Sequence, residues 1–140
     1  MLDAMRDLGI GLIAYSPLGR GFLAGRFQST DQLSEKDWRR GHPRFQGENF
    51  DKNMALVERV KEVAAQKKCT PAQLALAWLL HRGDDIVPIP GTSSITRLEE
   101  NAAAVDIRLT AEDVKRIEEA APRGAQGDRY NEHMIKLINR

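Results

Sequence analysis

The sequence predicts a parallel α/β fold whose sheet is larger than the chain that carries it. Two short apolar runs, Ile10-Gly11-Leu12-Ile13-Ala14-Tyr15 and Ile86-Val87-Pro88-Ile89-Pro90, lack the alternation of a half-exposed strand and read as strands covered on both faces. Stretches of helical period stand between and after them, which is the strand and helix alternation of a parallel sheet. Two parallel strands alone leave an unpaired edge on each side and cannot bury both faces, so the chain reads as part of a larger sheet.

Each element can be justified in order. Leu2, Met5 and Leu8 are spaced by three, the apolar stripe of a helix, and Gly9 follows where such a helix stops. The first strand exits into the turn-rich Ser16-Pro17-Leu18-Gly19-Arg20-Gly21. Residues 22 to 51 show no clear period and are punctuated by Gly25, Gly41, Pro43 and Gly47. A loop of that length inside a compact domain leans toward function. Leu56, Val57, Val60, Val63 and Ala64 then form a 3.6-period stripe that predicts a helix over about residues 54 to 68. Thr70-Pro71-Ala72-Gln73 combines a Thr cap, a Pro at the first helical position and a Gln three residues after the cap, so a second helix starts there. Its body, residues 74 to 80, is apolar nearly all round and reads as largely buried. The second strand follows His81-Arg82-Gly83 and runs into Gly91-Thr92-Ser93-Ser94 and a helix that turns Leu98, Ala102 and Val105 toward the core. Thr110-Ala111-Glu112-Asp113 repeats the capping pattern and opens a last clear helix with Val114 and Ile117 inward.

Composition narrows the function classes. A length of 140 residues is that of a single domain, and 41% hydrophobic with 29% charged residues is typical of a folded, soluble chain. The net charge of +1 removes the long-range field of a dedicated nucleic-acid or anionic-membrane binder, so neither partner is expected. No apolar run approaches the roughly 18 residues of a transmembrane helix. Cys69 is the only cysteine and cannot form an intrachain disulfide, and no signal-peptide layout opens the chain; a reducing, cytoplasmic compartment is the expectation. Cys69 sits at a helix boundary without a His or CxxC partner and reads as a buried structural thiol.

The strongest chemical signal is Pro90-Gly91-Thr92-Ser93-Ser94-Ile95-Thr96-Arg97-Leu98-Glu99-Glu100-Asn101. A strand ends, a flexible residue follows, and hydroxyls cluster at a helix N-terminus whose free N–H groups and partial positive charge suit an anion. Arg97, Glu100 and Asn101 stand at i, i+3 and i+4 on one face of the first turns, so an arginine fork, a carboxylate and an amide lie beside a phosphate cradle. The same residues read equally well as plain capping by Ser93 or Ser94 with Arg97 and Glu100 as a solvated pair. Tyr15-Ser16-Pro17-Leu18-Gly19-Arg20-Gly21 is the second signal, because ligands of parallel α/β folds bind at the carboxyl ends of strands. Its bland alternative is a turn with a core Tyr and a solvated Arg. His42, His81 and His133 show no metal-ligand spacing, so no metal site is expected. Lys36, Arg39, Arg40, His42 and Arg44 around Trp38 form a basic run that reads as a solvated loop diluted by Glu35 and Asp37.

Ile13-Ala14-Tyr15-Ser16-Pro17-Leu18-Gly19-Arg20-Gly21, Pro43-Arg44-Phe45, Thr70-Pro71-Ala72-Gln73-Leu74-Ala75-Leu76-Ala77-Trp78 and the stretch from Pro88 to Asn101 together resemble the C-terminal part of an aldo-keto reductase. Gly127-Asp128-Arg129-Tyr130 resembles the tail of plant and bacterial members related to auxin-induced and perakine-reductase-like proteins. The resemblance implies the C-terminal part of a (β/α)8 TIM barrel, with residues 1–140 supplying strands seven and eight, their helices and an extra C-terminal helix. It implies NADPH as cofactor, with Tyr15 stacked on the nicotinamide and Ser16, Leu18 and Arg20 lining the pyrophosphate. Gly91, Thr92 and Ser93 would border the 2′-phosphate, Arg97 would grip that phosphate or stack on adenine, and Glu100 and Asn101 would meet the adenine amino edge. Gly91 stands where many members carry Lys, which implies a looser phosphate grip. The family's catalytic tetrad belongs to the first six strands, so no catalytic residue is expected here, and the chain reads as a truncated product, splice form or fragment. Two readings follow: an NADP-binding part of an oxidoreductase of aldehydes and ketones, inactive alone, or a non-enzymatic nucleotide- or partner-binding module. Open strand edges add an expectation of self-association.

Overall fold

Gly9, at φ +68°, ends a short helix α1 (Leu2–Asp7), and the chain then enters strand β1 (Leu12–Tyr15). The computed structural model describes residues 1–25, 27–120 and 124–138. After β1 come 3-10 turns at Gly19–Gly21, Thr30–Gln32, Trp38–Gly41 and Pro43–Phe45. Helices α2 (Gly47–Gln66) and α3 (Pro71–His81) lead to strand β2 (Ile86–Ile89). Helix α4 (Ile95–Ala102) passes into a 3-10 turn at Ala103–Asp106, and helices α5 (Ala111–Ala120) and α6 (Glu132–Ile138) follow.

The two strands pair in parallel, Leu12 against Ile86 through Tyr15 against Ile89, so their carboxyl ends lie side by side. Arg6 ties α1 to the entry of β2 through Asp85 (Nε to Oδ2, 2.8 Å) and the Arg82 carbonyl (2.6 Å). Contrary to the expectation of strands covered on both faces, one face of the sheet is open. Ile13 and Tyr15 are each 66% exposed, and beside them Val87 and Ile89 are 55% and 47% exposed. The reason is that α3 and its neighbours cover the side of Leu12, Ala14 and Ile86, and no described element covers the other.

Two apolar clusters share α2. Phe22, Phe27, Leu33, Phe45, Phe50 and Val57 form one, with the Phe22 and Phe45 ring centroids 4.4 Å apart; Val60, Val63, Ala64, Leu74, Ala77 and Leu109 form the other. The supposedly periodless loop therefore holds a core of aromatic rings between 3-10 turns, and α2 starts at Gly47, earlier than its apolar stripe suggested. Thr70 and Gln73 make the reciprocal cap at α3, where Ala72, Leu74, Leu76 and Ala77 are buried. On α4 the expectation fails. Leu98 and Val105 are each 59% exposed and Ala102 is also exposed, while Ala104 is buried instead. Their apolar stripe is real, but the described residues offer nothing to cover it. Cys69 is half-buried against the second cluster, and burial raises its thiol pKa.

At α5, Thr110 N–H (2.8 Å) and Lys67 Nζ (2.8 Å) both donate to Asp113 Oδ2, and Asp113 N–H donates to Thr110 Oγ1. The Lys67 bond and the Thr110 backbone hold the Asp113 carboxyl down at about 2. A depressed folded value contributes stability that is present above the unfolded value near 4 and is lost as pH falls toward 2. Asp113→Asn, which removes the charge and little else, is expected to cost about 1 kcal/mol at neutral pH and nothing near pH 2. Thermal melts of both chains across that range check it.

Candidate functional site

The site is built where the two strands end. Because β1 and β2 run in parallel and in register, Ser16-Pro17-Leu18-Gly19-Arg20-Gly21 and Pro90-Gly91-Thr92-Ser93-Ser94 leave the sheet on the same side. A cleft of about 350 Å³ opens between them. Nine of the residues singled out in the sequence border it: Ser16, Leu18, Arg20, Gly91, Thr92, Ser93, Arg97, Glu100 and Asn101. Tyr15 does not. It lies on the exposed sheet face and borders a second, largely apolar cavity of about 700 Å³ beside α2, α3 and α5, which Ser16 shares.

The exit turn from β1 is held in an unusual shape. Ser16 (φ +52°) and Arg20 (φ +60°) are non-glycine residues in the left-handed region, where a side chain is unfavourable unless its surroundings fix it. Gly21, at φ +101°, brings its backbone so close to Arg39 and Phe27 that a Cβ would sit 3.2 Å from Arg39 Nη1.

At the other wall, Ser94 precedes α4 but its side chain caps nothing. Thr92 Oγ1 accepts the Ser94 N–H (3.1 Å), and the first bond of the helix is Leu98 N–H to the Ser94 carbonyl. The N–H groups of Ile95, Thr96 and Arg97 thus find no acceptor among the described residues. Plain capping by Ser93 or Ser94 is not what this terminus does. Three guanidiniums border the cleft, and their states differ. Arg39 is neutralised by Asp37 (2.6 Å), whose carboxyl it holds at about 2, and it donates to the Arg20 carbonyl (3.0 Å). Arg97 is exposed and makes no hydrogen bond or ion pair among the described residues, so its charge is available at the rim. Glu100 offers its carbonyl to Gln73 Nε2 (3.1 Å), fixing α4 against α3.

Arg20 borders the cleft and is also engaged within the structure. Its guanidinium lies over the rings of Trp38 (5.1 Å) and Tyr130 (4.9 Å), donates to the Arg129 carbonyl (2.9 Å) and meets His42 Nε2. His42 is 3% exposed, and burial together with the Arg20 cation lowers its pKa, so its neutral ring serves as acceptor. The basic run around Trp38 is therefore no solvated loop: Arg39, Arg40, His42 and Arg44 all bond within the structure. Reading by segment missed that Trp38, His42 and Tyr130 gather around Arg20. Among the described residues no group of His, Cys, Asp or Glu could hold a metal ion. Likewise none of the described helices is long and apolar enough to cross a membrane.

A parallel pair of strands with a cleft at its carboxyl ends defines an α/β protein, and the cleft stands where barrels and doubly wound sheets bind their ligands. Residues 1–122 match the family model "Aldo/keto reductase family", and the chain belongs to that family. Over 120 residues it is 48% identical to "Aldo-keto reductase yakc [NADP(+)]" of Schizosaccharomyces pombe, covering 86% of this chain and 35% of the relative. Its fold matches part of the glycerol dehydrogenase AKR11B4 from Gluconobacter oxydans with a TM-score of 0.77 at 22% identity, over 86% of this chain and 36% of that one. The chain thus spans about a third of the length of these two relatives.

Proposed function

We propose that the 140 residues form the NADP(H)-binding part of a (β/α)8 aldo-keto reductase barrel and work with further strands supplied from outside this sequence. The observation that carries the reading is the unpaired Arg97 guanidinium beside the uncapped N-terminus of α4, both on the cleft at the strand ends. Fixed N–H groups and a planar cation are the pair that recognises a phosphate monoester. When bound, NADPH supplies the hydride for reduction of an aldehyde or ketone. This chain's residues bind and orient it: Arg97 and the free N–H groups hold the 2′-phosphate, with Gly91, Thr92 and Ser93 beside it. Glu100 and Asn101 face the adenine. Ser16 and Leu18 line the pyrophosphate path, and Tyr15, on the open sheet face, offers its ring to the nicotinamide. Arg20 acts on the path through the shape of its turn.

Only NADPH carries the 2′-phosphate, and charge-assisted hydrogen bonds to it are worth about 1.5–3 kcal/mol, so NADPH is expected to bind about 10- to 150-fold tighter than NADH. Fluorescence titration of both cofactors tests this, and equal affinities overturn it. A second reading, a partner-binding module, is favoured by the exposed Ile13, Tyr15, Val87 and Ile89 on one sheet face. It predicts self-association without cofactor selectivity, and light scattering on the same samples separates the two.

A further inference from the structure

The hydrogen bonds that hold residues 124–130 reach main chain rather than side chains. Asn53, 5% exposed on α2, donates from Nδ2 to the Gln126 carbonyl (3.0 Å) and accepts the Gln126 N–H at Oδ1 (2.7 Å). Arg44 Nε donates to the Gly127 carbonyl (3.1 Å), and Arg20 Nη1 donates to that of Arg129 (2.9 Å). Gly127, at φ +84°, lies so close to Pro43 that a Cβ would come within 3.1 Å of its backbone. The Tyr130 and Trp38 rings both lie against the Arg20 guanidinium. A segment this thoroughly clipped is a fixed part of the fold, and the residue at its far end is Arg20.

Arg20 is at the same time the left-handed centre of the Gly19–Gly21 turn, and that turn borders the cleft. A non-glycine residue holds such a conformation only where other contacts determine it. Here the side chain is determined by the C-terminal segment and His42, and the carbonyl by Arg39. We propose that residues 124–130 are a strap that sets the Gly19–Gly21 turn through Arg20, a positioning residue joining the C-terminal segment to the wall of the cleft. The ligand readout below rests on the cleft being a nucleotide site; the exchange readout does not.

The test is hydrogen exchange on the 140-residue chain together with titration of adenosine 2′,5′-bisphosphate. Tyr130→Ala removes one of the two rings that contact Arg20, at a residue that does not border the cleft. It is expected to speed exchange at Gln126 and, remotely, at the Gly19 and Gly21 amides, which are bonded to Ser16 and Leu18. The bisphosphate dissociation constant should rise about three- to tenfold. Tyr130→Phe keeps the ring and should match the parent in both readouts. Should Tyr130→Ala fail to fold, Arg20→Lys, which keeps the charge and loses the fork, takes its place with the exchange expectation alone, because Arg20 itself borders the cleft. Faster exchange in the strap with an unchanged turn overturns the proposal, as does a parent chain without protection at Gly19 and Gly21. Failure of the parent to bind the bisphosphate refutes the nucleotide reading and leaves the exchange result to decide the strap.

Discussion

Arg97→Ala is expected to raise the NADPH dissociation constant about 10- to 150-fold and to affect NADH much less. Arg97 is the cleft cation with no partner among the described residues, since Asp37 neutralises Arg39 and the aromatic pair and His42 occupy Arg20. Removing it leaves the phosphate only the N–H groups of α4, whose partial charge is about half a unit at best. The competing role is stacking on adenine, which both cofactors share. Isothermal titration of each cofactor into parent and Arg97→Ala chains, with the remaining barrel strands restored, decides between them. Equal losses would reject the phosphate role and leave stacking. Arg97→Lys refines the result, because a lysine keeps the charge without the two-pronged fork.

The 140 residues by themselves are expected to leave 4-nitrobenzaldehyde unreduced in the presence of NADPH. Proton donation by a positioned acid contributes typically about 10²–10⁴-fold to such a rate. Tyr15, the tyrosine at the strand ends, is two-thirds exposed and has no lysine or carboxylate bonded to it among the described residues. Tyr130 packs its ring against the Arg20 guanidinium. Absorbance at 340 nm checks this against a protein-free control, and clear consumption of NADPH above that control would overturn it.

Much of this was legible residue by residue. Both strands, the reciprocal cap at Thr70 and Gln73, and the grouping of Arg97, Glu100 and Asn101 on one face depend on short-range periodicity and side-chain reach, which sequence records directly. The aromatic cluster was not legible, because Phe22 and Phe27 come from irregular chain, Phe45 from a 3-10 turn and Phe50 from the first turn of α2, with no common period in their spacing. Leu98 and Val105 mislead for another reason: periodicity identifies an apolar face but not whether anything covers it. The partners of Arg20 were not legible either: the Arg129 carbonyl that it bonds is 109 positions away, beyond any local pattern.

The clamp on residues 124–130 also divides that segment into positions free to drift and positions that are not. Asn53 and Arg44 read only amide and carbonyl groups, so the identity of Gln126 is invisible to them, as that of Arg129 is to Arg20. Gly127 has no such latitude: any added carbon meets Asn49 Nδ2 at 2.9 Å and the Pro43 backbone at 3.1 Å, in a conformation that only glycine adopts readily. Across variants of this chain, the segment can therefore change its chemistry at several places while its path stays fixed by one glycine and one buried asparagine.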